Sequence, residues 1–451
     1  LAPELLPLLW RGVGWADVVH VTAVFSPTSY MLDNGLQVVV VPNHRAPIVT
    51  QMLFYKVGAA DDPVGKSGAA HFLEHLVFRG TSDVAPGQFS LEVAEVGGDE
   101  NAYTTNDYTV YHQTVAVEQL PLVMRLESDR MANLAITEAV VAPERDVILE
   151  ERRERIDNDP GAQLAEQLRA ALFLNHPYRR PTIGWAHEMR GLTAEDERGV
   201  YQRWYAPNNA VLVIAGDVDP AQVFALADKY LAPLQKQPEP APITTIEPEQ
   251  QGERRIVVER ADAQSPIVAY AFHSGLGAGS KDYPTLDVLS TILSQGDSSR
   301  LHQRLVEKEQ AAVQAGAFAD QGFDPGLLTV YAMLPPGGDV AKAEALLDDE
   351  LARIARDGVT ADELAKARNL KASSFWRGMA TINGKARALG TYEVFQGDYR
   401  KLFDAPAAYD AVAAADVQAL AKKILRIQNR TTGLLKPVAT APSADNKEGA
   451  Q

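Results

Sequence analysis

The chain has 451 residues, no cysteine, and a net charge of −16 from 59 acidic and 43 basic residues. That length favours two or three domains over a single core, and the acidic balance argues against a nucleic-acid binder, which presents a basic face. Without cysteine there is no disulfide and any metal must be held by His, Asp or Glu, while no stretch reaches the roughly 20 apolar residues that span a bilayer.

The chain opens on an apolar segment, residues 1–15, which fits either the remnant of an export signal or a short helix packed on the body. Residues 36–58 read as a strand, a short polar turn and a second strand led by Pro47-Ile48-Val49. A helix is expected over 67–78.

That helix carries the sequence Gly68-Ala-Ala-His71-Phe-Leu-Glu74-His75-Leu-Val-Phe78, an H-x-x-E-H pattern. Positions i and i+4 share a helix face, so His71 and His75 can reach one ion, and Glu74 at i+3 points to the same side. A metal makes nearby water acidic, and a free carboxylate can take its proton and pass it to a leaving amine. The order of residues is that of the inverzincins. Against this stands a chance match, since a chain with nine histidines meets the pattern in roughly one case in a hundred. The apolar flanks Phe72, Leu73, Leu76, Val77 and Phe78 put the helix in a core, where unpartnered His and Glu are costly and ligation satisfies them.

Residues 97–111 alternate polar and β-prone side chains and read as one strand, entered through a Gly97-Gly98 turn. Helices follow over 118–133 and 143–154, the second with Pro143 suited to its first turn. Glu144 and Glu151 lie two turns apart on one face of it, with Glu150 about 100° round. By chemistry alone Glu150, Glu151 and Glu154 are all candidates for a third ligand. The plainer reading is a solvated, charged helix.

A strand is expected over 210–215, then an extended, solvated linker over 235–252 (QKQPEPAPITTIEPEQQG). The opening pattern returns at 255–275, where Pro266-Ile-Val stands 219 residues after Pro47-Ile-Val. Helices over 283–294 and 342–355 and a strand over 327–333 complete this half. The tail 436–451 is polar and small, with the composition of a disordered segment. The expected fold class is α+β. It consists of two homologous α/β sandwiches, residues 24–234 and 253–435, each an antiparallel-rich sheet with helices packed on it.

With these landmarks in place the chain resembles the pitrilysin/insulinase family, and within it the bacterial relatives of the mitochondrial processing peptidase β subunit. Asp33-Asn-Gly-Leu36, Phe78-Arg-Gly-Thr81, His176-Pro-Tyr178 and Trp204-Tyr-Ala-Pro-Asn-Asn209 carry the likeness alongside the H-x-x-E-H helix, over residues 29–435. The resemblance implies a zinc endopeptidase with one Zn2+ per chain. Its third ligand follows a helical glutamate by seven residues, which selects Glu151 as ligand and gives Glu144 a supporting role. Glu74 becomes the general base. It further implies that residues 97–111 form a sheet edge taking an extended peptide by strand addition, with Asn101 and Ala102 in contact with substrate. The two domains would then form half of a peptide-binding chamber.

The resemblance implies a second half without a metal site, and one departure qualifies the likeness. In the second half Ser290, Leu293 and Ser294 stand where the first has His71, Glu74 and His75, so the metal site is not repeated. Single-subunit members also carry an Arg and a Tyr seven residues apart on a later segment, aimed at the substrate carbonyl. Val306 and Val313 occupy those places here, with Lys308 as the anchor between them. The expectation is a heterodimer in which a homologous partner supplies the Arg/Tyr pair, located in a bacterial periplasm or cell envelope, with the cytoplasm as the alternative. Two rival functions are a non-catalytic scaffold of the same fold and a non-peptidase metallohydrolase. His/His/Glu ligation favours zinc over manganese or cobalt.

Overall fold

Val38 and Val40 face one side of their strand and Val39 and Val41 the other, and all four are fully buried. Successive side chains of a strand alternate faces, so a wholly apolar run needs cover on both. A computed structural model of the protein, which describes residues 25–438, supplies that cover. The apolar segment 1–15 lies outside the described residues.

The first sheet contains β1 (Thr28–Met31), β2 (Gln37–Pro42), β3 (Ile48–Tyr55), β4 (Asp99–Thr104), β5 (Thr109–Ala116) and β6 (Ala210–Gly216), in the order β1-β2-β6-β3-β5-β4. The second contains β7 (Arg254–Arg260), β8 (Ile267–His273), β9 (Gln314–Ala319), β10 (Leu327–Met333) and β11 (Arg430–Pro437), in the order β7-β11-β8-β10-β9. From β2 and β7 onward the two orders correspond strand for strand. β2–β6 and β7–β11 are the parallel pairs, and the pairs after them are antiparallel. The repeat around Pro47 and Pro266 is therefore a repeat of β2–β3 as β7–β8. β4 and β9 are edge strands.

One face of the first sheet packs on helices of its own half, including Ala69–Leu76, Leu120–Asn133, Glu138–Arg152 and Ala194–Trp204. The other face is covered by Ile382–Gln396, a helix from the second half, through Ala386 and Leu389. Gly390 permits this approach, since a Cβ there would stand 2.1 Å from the Phe54 ring. The arrangement is reciprocal. Pro160–Leu172, from the first half, lays Leu164 and Leu168 on the second sheet, where a Cβ on Gly433 would come within 3.0 Å of Leu164. Each half lends the other a helix.

Three expectations need correction, and the extended linker gains anchor points. Residues 97–111 form two strands, because Thr105 closes a turn: its hydroxyl accepts from the N–H groups of Asp107 and Tyr108 at 3.1 and 3.0 Å. Pro143 lies inside its helix, which starts at Glu138 because Val141 is buried in the core and extends the apolar face backward. The linker has no regular secondary structure, but it is tied down. The Glu247 carboxylate accepts from the N–H groups of Leu174, Asn175 and His176 at 2.7–2.9 Å, and buried Gln250 donates to the Arg430 carbonyl at 2.6 Å. Lys436 and Pro437, assigned to the tail, belong to β11 and pair with Glu259 and Arg260 of β7. Residues 439–451 lie outside the described residues.

Candidate metal centre

Ala69, Phe72, Leu73 and Leu76 recur at helical spacing and fill the first core. This turns His71, Glu74 and His75 to the opposite face. Gly68 begins the helix at φ +89°, where a Cβ would strike Met189 Sδ at 2.4 Å and the Ile183 carbonyl at 2.7 Å. Asp62 caps the first turn, its two oxygens accepting from the N–H groups of Gly68 and Ala70 at 2.7 and 2.8 Å.

The helix Glu138–Arg152 crosses beside this face. Of the three glutamates left open by chemistry, Glu151 meets the histidines, while Glu150 and Glu154 are exposed. Glu151 Oε2 lies 3.3 Å from His75 Nε2 and 3.7 Å from His71 Nε2. Ligand atoms of the three residues lie within 4.8 Å of one another, the single such His/Asp/Glu group among the described residues. Three donors around one zinc at bonds of about 2.1 Å stand roughly 3.4 Å apart, so the spacing fits. Glu151 Oε2 is also a buried oxygen without a hydrogen-bond partner, a position that a cation would satisfy.

Supporting contacts surround the triad. His75 Nδ1 lies 2.9 Å from Glu144 Oε1, which orients the ring and leaves Nε2 toward Glu151. Arg79 pairs with the other Glu144 oxygen. Arg155 Nη1 holds Glu151 Oε1 at 3.1 Å. Burial and the neighbouring His75 push the His71 imidazole down to about 4. At His75 burial acts the same way, but the carboxylates of Glu144 and Glu151 outweigh it and raise the ring to about 9.

Glu74 stays outside the donor set. Thr104, the last residue of β4, donates its hydroxyl to Glu74 Oε2 at 2.5 Å. Burial raises the Glu74 carboxyl above its usual range, and the Thr104 bond opposes that. The triad, Glu74 and Glu144 line a cavity of ≈730 Å³ whose wall includes Asn101 and Ala102. The Asn101 side chain turns back to accept from the Ala102 N–H at 2.8 Å. β4 is an edge strand, and its residues Asn101 to Thr104 line that cavity. Thr104, Arg79 and Arg155 had no role from the sequence; their contacts bridge 30 residues or more or depend on a side-chain rotamer, and no local pattern marks them. In the second half Val306 packs partly against the second core and Val313 is exposed ahead of β9.

Comparison with known proteins gives a consistent picture. The sequence profile described as Insulinase (Peptidase family M16) matches residues 37–185, and that described as Peptidase M16 inactive domain matches residues 191–371. A Helicobacter pylori protein named zinc protease PqqE is 32% identical over 91% of this chain and 92% of its own length. A protein of Mycobacterium tuberculosis named an uncharacterized zinc protease is 31% identical over 89% of this chain and 92% of its own length. Among solved structures, a protease from Helicobacter pylori superposes with a TM-score of 0.87 at 30% identity, covering 92% of this chain and all of that one. The periplasmic protease PqqL from Escherichia coli shares the fold, with a TM-score of 0.77 at 20% identity, over 94% of this chain and 51% of that longer chain.

Proposed function

Since the chain belongs to the insulinase family, peptidase family M16, we propose that it is a zinc-dependent endopeptidase subunit acting on extended peptides. The observation that carries this reading is the convergence of His71, His75 and Glu151 on one point, with Glu74 outside the set and the free edge of β4 alongside. Zinc held by the triad, one ion per chain, would supply Lewis acidity toward water and the scissile carbonyl.

The chain's own residues then divide the work. The outer backbone of β4 at Asn101 and Ala102 takes the peptide as an added strand. Glu74 takes a proton from the attacking water at the oxygen not held by Thr104, and returns it to the leaving amine. Glu144 fixes the His75 ring, and Arg79 fixes Glu144. Nothing on this chain at positions 306 and 313 can donate to the developing oxyanion, so a homologous partner with the Arg/Tyr pair completes the chamber. Among the described residues no helix is long and apolar enough to cross a membrane. A structural neighbour is named a periplasmic protease, which supports a location in the bacterial periplasm or cell envelope, with the cytoplasm as the alternative.

The test is zinc content together with cleavage of a quenched peptide library by the purified chain, with Glu74→Gln beside it and with a homologous Arg/Tyr-bearing chain added. One zinc, and activity confined to the mixture and lost in Glu74→Gln, is the expected result. Full activity of the chain alone would remove the partner. Absence of both metal and activity would leave a scaffold.

A further inference from the structure

The segment His176-Pro-Tyr178 has no part in the metal centre, yet it sits where three elements meet. Tyr178 is 2% exposed. Its hydroxyl donates to Asp107 Oδ1 at 2.5 Å and accepts from the Asp324 N–H at 3.0 Å. His176 Nε2 lies 3.1 Å from Asp324 Oδ2. The other Asp107 oxygen accepts from the Phe323 N–H at 3.2 Å. Asp107 is in the tip of the β4–β5 hairpin, and Phe323 and Asp324 are in the tip of β9–β10, its counterpart in the second half. The tips of the two edge hairpins thus meet on one phenol. The fit is close, because a Cβ on Gly322 would stand 2.6 Å from the Tyr178 oxygen.

The same segment reaches the motif helix. Arg180 donates to the carbonyls of Asp62 and Ala60 at 2.8 and 2.9 Å. The N–H groups of Ala59 and Ala60 donate to the carbonyls of Thr105 and Asn106 in the β4–β5 tip, at 3.0 and 2.8 Å. A Cβ on Gly58 would meet the Asn106 backbone at 2.4 Å. Asp62 in turn caps the helix of His71 and Glu74. Residues 176–180 therefore bracket the hairpin tip on one side and the approach to the helix on the other.

An edge strand is paired on one flank only, so its position depends on how its ends are anchored. We propose that Tyr178 is a positioning residue: by fixing the β4–β5 tip to the second half, it sets β4 against the motif helix, holding Thr104 on Glu74 and the outer backbone of β4 in line for a peptide. This rests on the reading of β4 as the peptide-binding edge. Tyr178→Phe removes the donor to Asp107 and the acceptor for Asp324 while keeping the ring. Gly322→Ala presses on the same hydroxyl from the second half. Tyr283→Phe, which removes a hydroxyl bonded to the Asp320 carbonyl at 3.3 Å in the same loop, is the control.

The experiment uses the full chain carrying Glu74→Gln and a fluorescein-labelled, unstructured decapeptide rich in alanine and leucine, with Kd read by anisotropy and amide exchange read by mass spectrometry. Tyr178→Phe and Gly322→Ala are each expected to raise Kd about five-fold or more and to speed exchange of the β4–β5 amides. Zinc content stays at the parent value, and Tyr283→Phe leaves Kd and exchange unchanged. A parent that binds the peptide alongside variants that bind it equally well would overturn this inference alone. A parent that binds no peptide would overturn the reading of β4 and this inference with it.

Discussion

The Thr104 hydroxyl and the Glu74 carboxylate, 30 residues apart in sequence, meet at 2.5 Å and join the edge strand β4 to the motif helix. A donor to a carboxylate favours its charged form and so lowers its pKa. At Glu74 this opposes the larger effect of burial, which raises it. Removing the donor in Thr104→Val therefore moves the acidic limb of the kcat/KM profile to higher pH, by about one unit for the loss of a hydrogen bond to a charged group. Thr104→Ser restores the limb. A limb that stays in place in Thr104→Val would show that Glu74 is not the titrating base.

Zinc affinity is expected to depend on pH through His75. Its imidazole must be neutral to bind a metal, yet Glu144 and Glu151 overcome burial and hold it protonated up to about 9. Affinity, measured by competition with a chelator between pH 6 and 8, rises about tenfold per pH unit for the one proton displaced. Glu144→Gln leaves the three donors in place and removes one of the carboxylates that hold the His75 proton, so the rise of affinity between pH 6 and 8 is expected to be shallower than in the wild type.

The motif helix was legible because its signal is local. Apolar spacing at 69, 72, 73 and 76 and the ligand spacing at 71 and 75 both follow from one helical period. The repeat was legible for a similar reason, since Pro-Ile-Val opens β3 and β8 alike. Glu151 was not separable from Glu150 and Glu154 by pattern, because which glutamate faces the histidines depends on how two helices cross. The β4–β5 turn does have a local signal, the turn-favouring Asn106-Asp107 after Thr105, which the alternation of the flanking strands masks. The exchange of covering helices between halves leaves no local trace at all. It depends on Gly390 and Gly433 meeting side chains more than 250 residues away in sequence.

That exchange makes a paired prediction. Gly390→Ala forces a methyl against the Phe54 ring, where a Cβ would sit 2.1 Å from the nearest carbon, and overpacking of this kind costs about 1–3 kcal/mol. Gly199 lies in the helix Ala194–Trp204, is exposed, and has nothing within 4 Å of an added Cβ. Gly199→Ala should stabilise by about 1 kcal/mol through helix propensity. Urea unfolding of both variants should show midpoints displaced in opposite directions from the wild type.

Asp61 gives a stability signature that is independent of any metal. Its Oδ2 accepts from the Gly58 N–H at 2.9 Å, in the turn that supports the β4–β5 tip. Burial pushes its carboxyl up to about 7, against the opposing effect of that hydrogen bond. The unfolded chain binds this proton with an ordinary pKa near 3.9, so the native state holds it more tightly. Stability from this group is complete below about 3.9 and is lost as pH rises toward 7, beyond which its contribution is flat. Asp61→Asn keeps an oxygen for the Gly58 N–H and removes the titration. The wild type is therefore expected to lose stability relative to Asp61→Asn as pH climbs from about 4 to 7, by no more than about 4 kcal/mol in total. Urea midpoints of both proteins at half-unit steps across that range measure the difference directly. A difference that is constant with pH, or that grows in favour of the wild type, would mean that the Asp61 carboxylate is well solvated or paired in the native state, and that the turn beneath the edge hairpin is open to water.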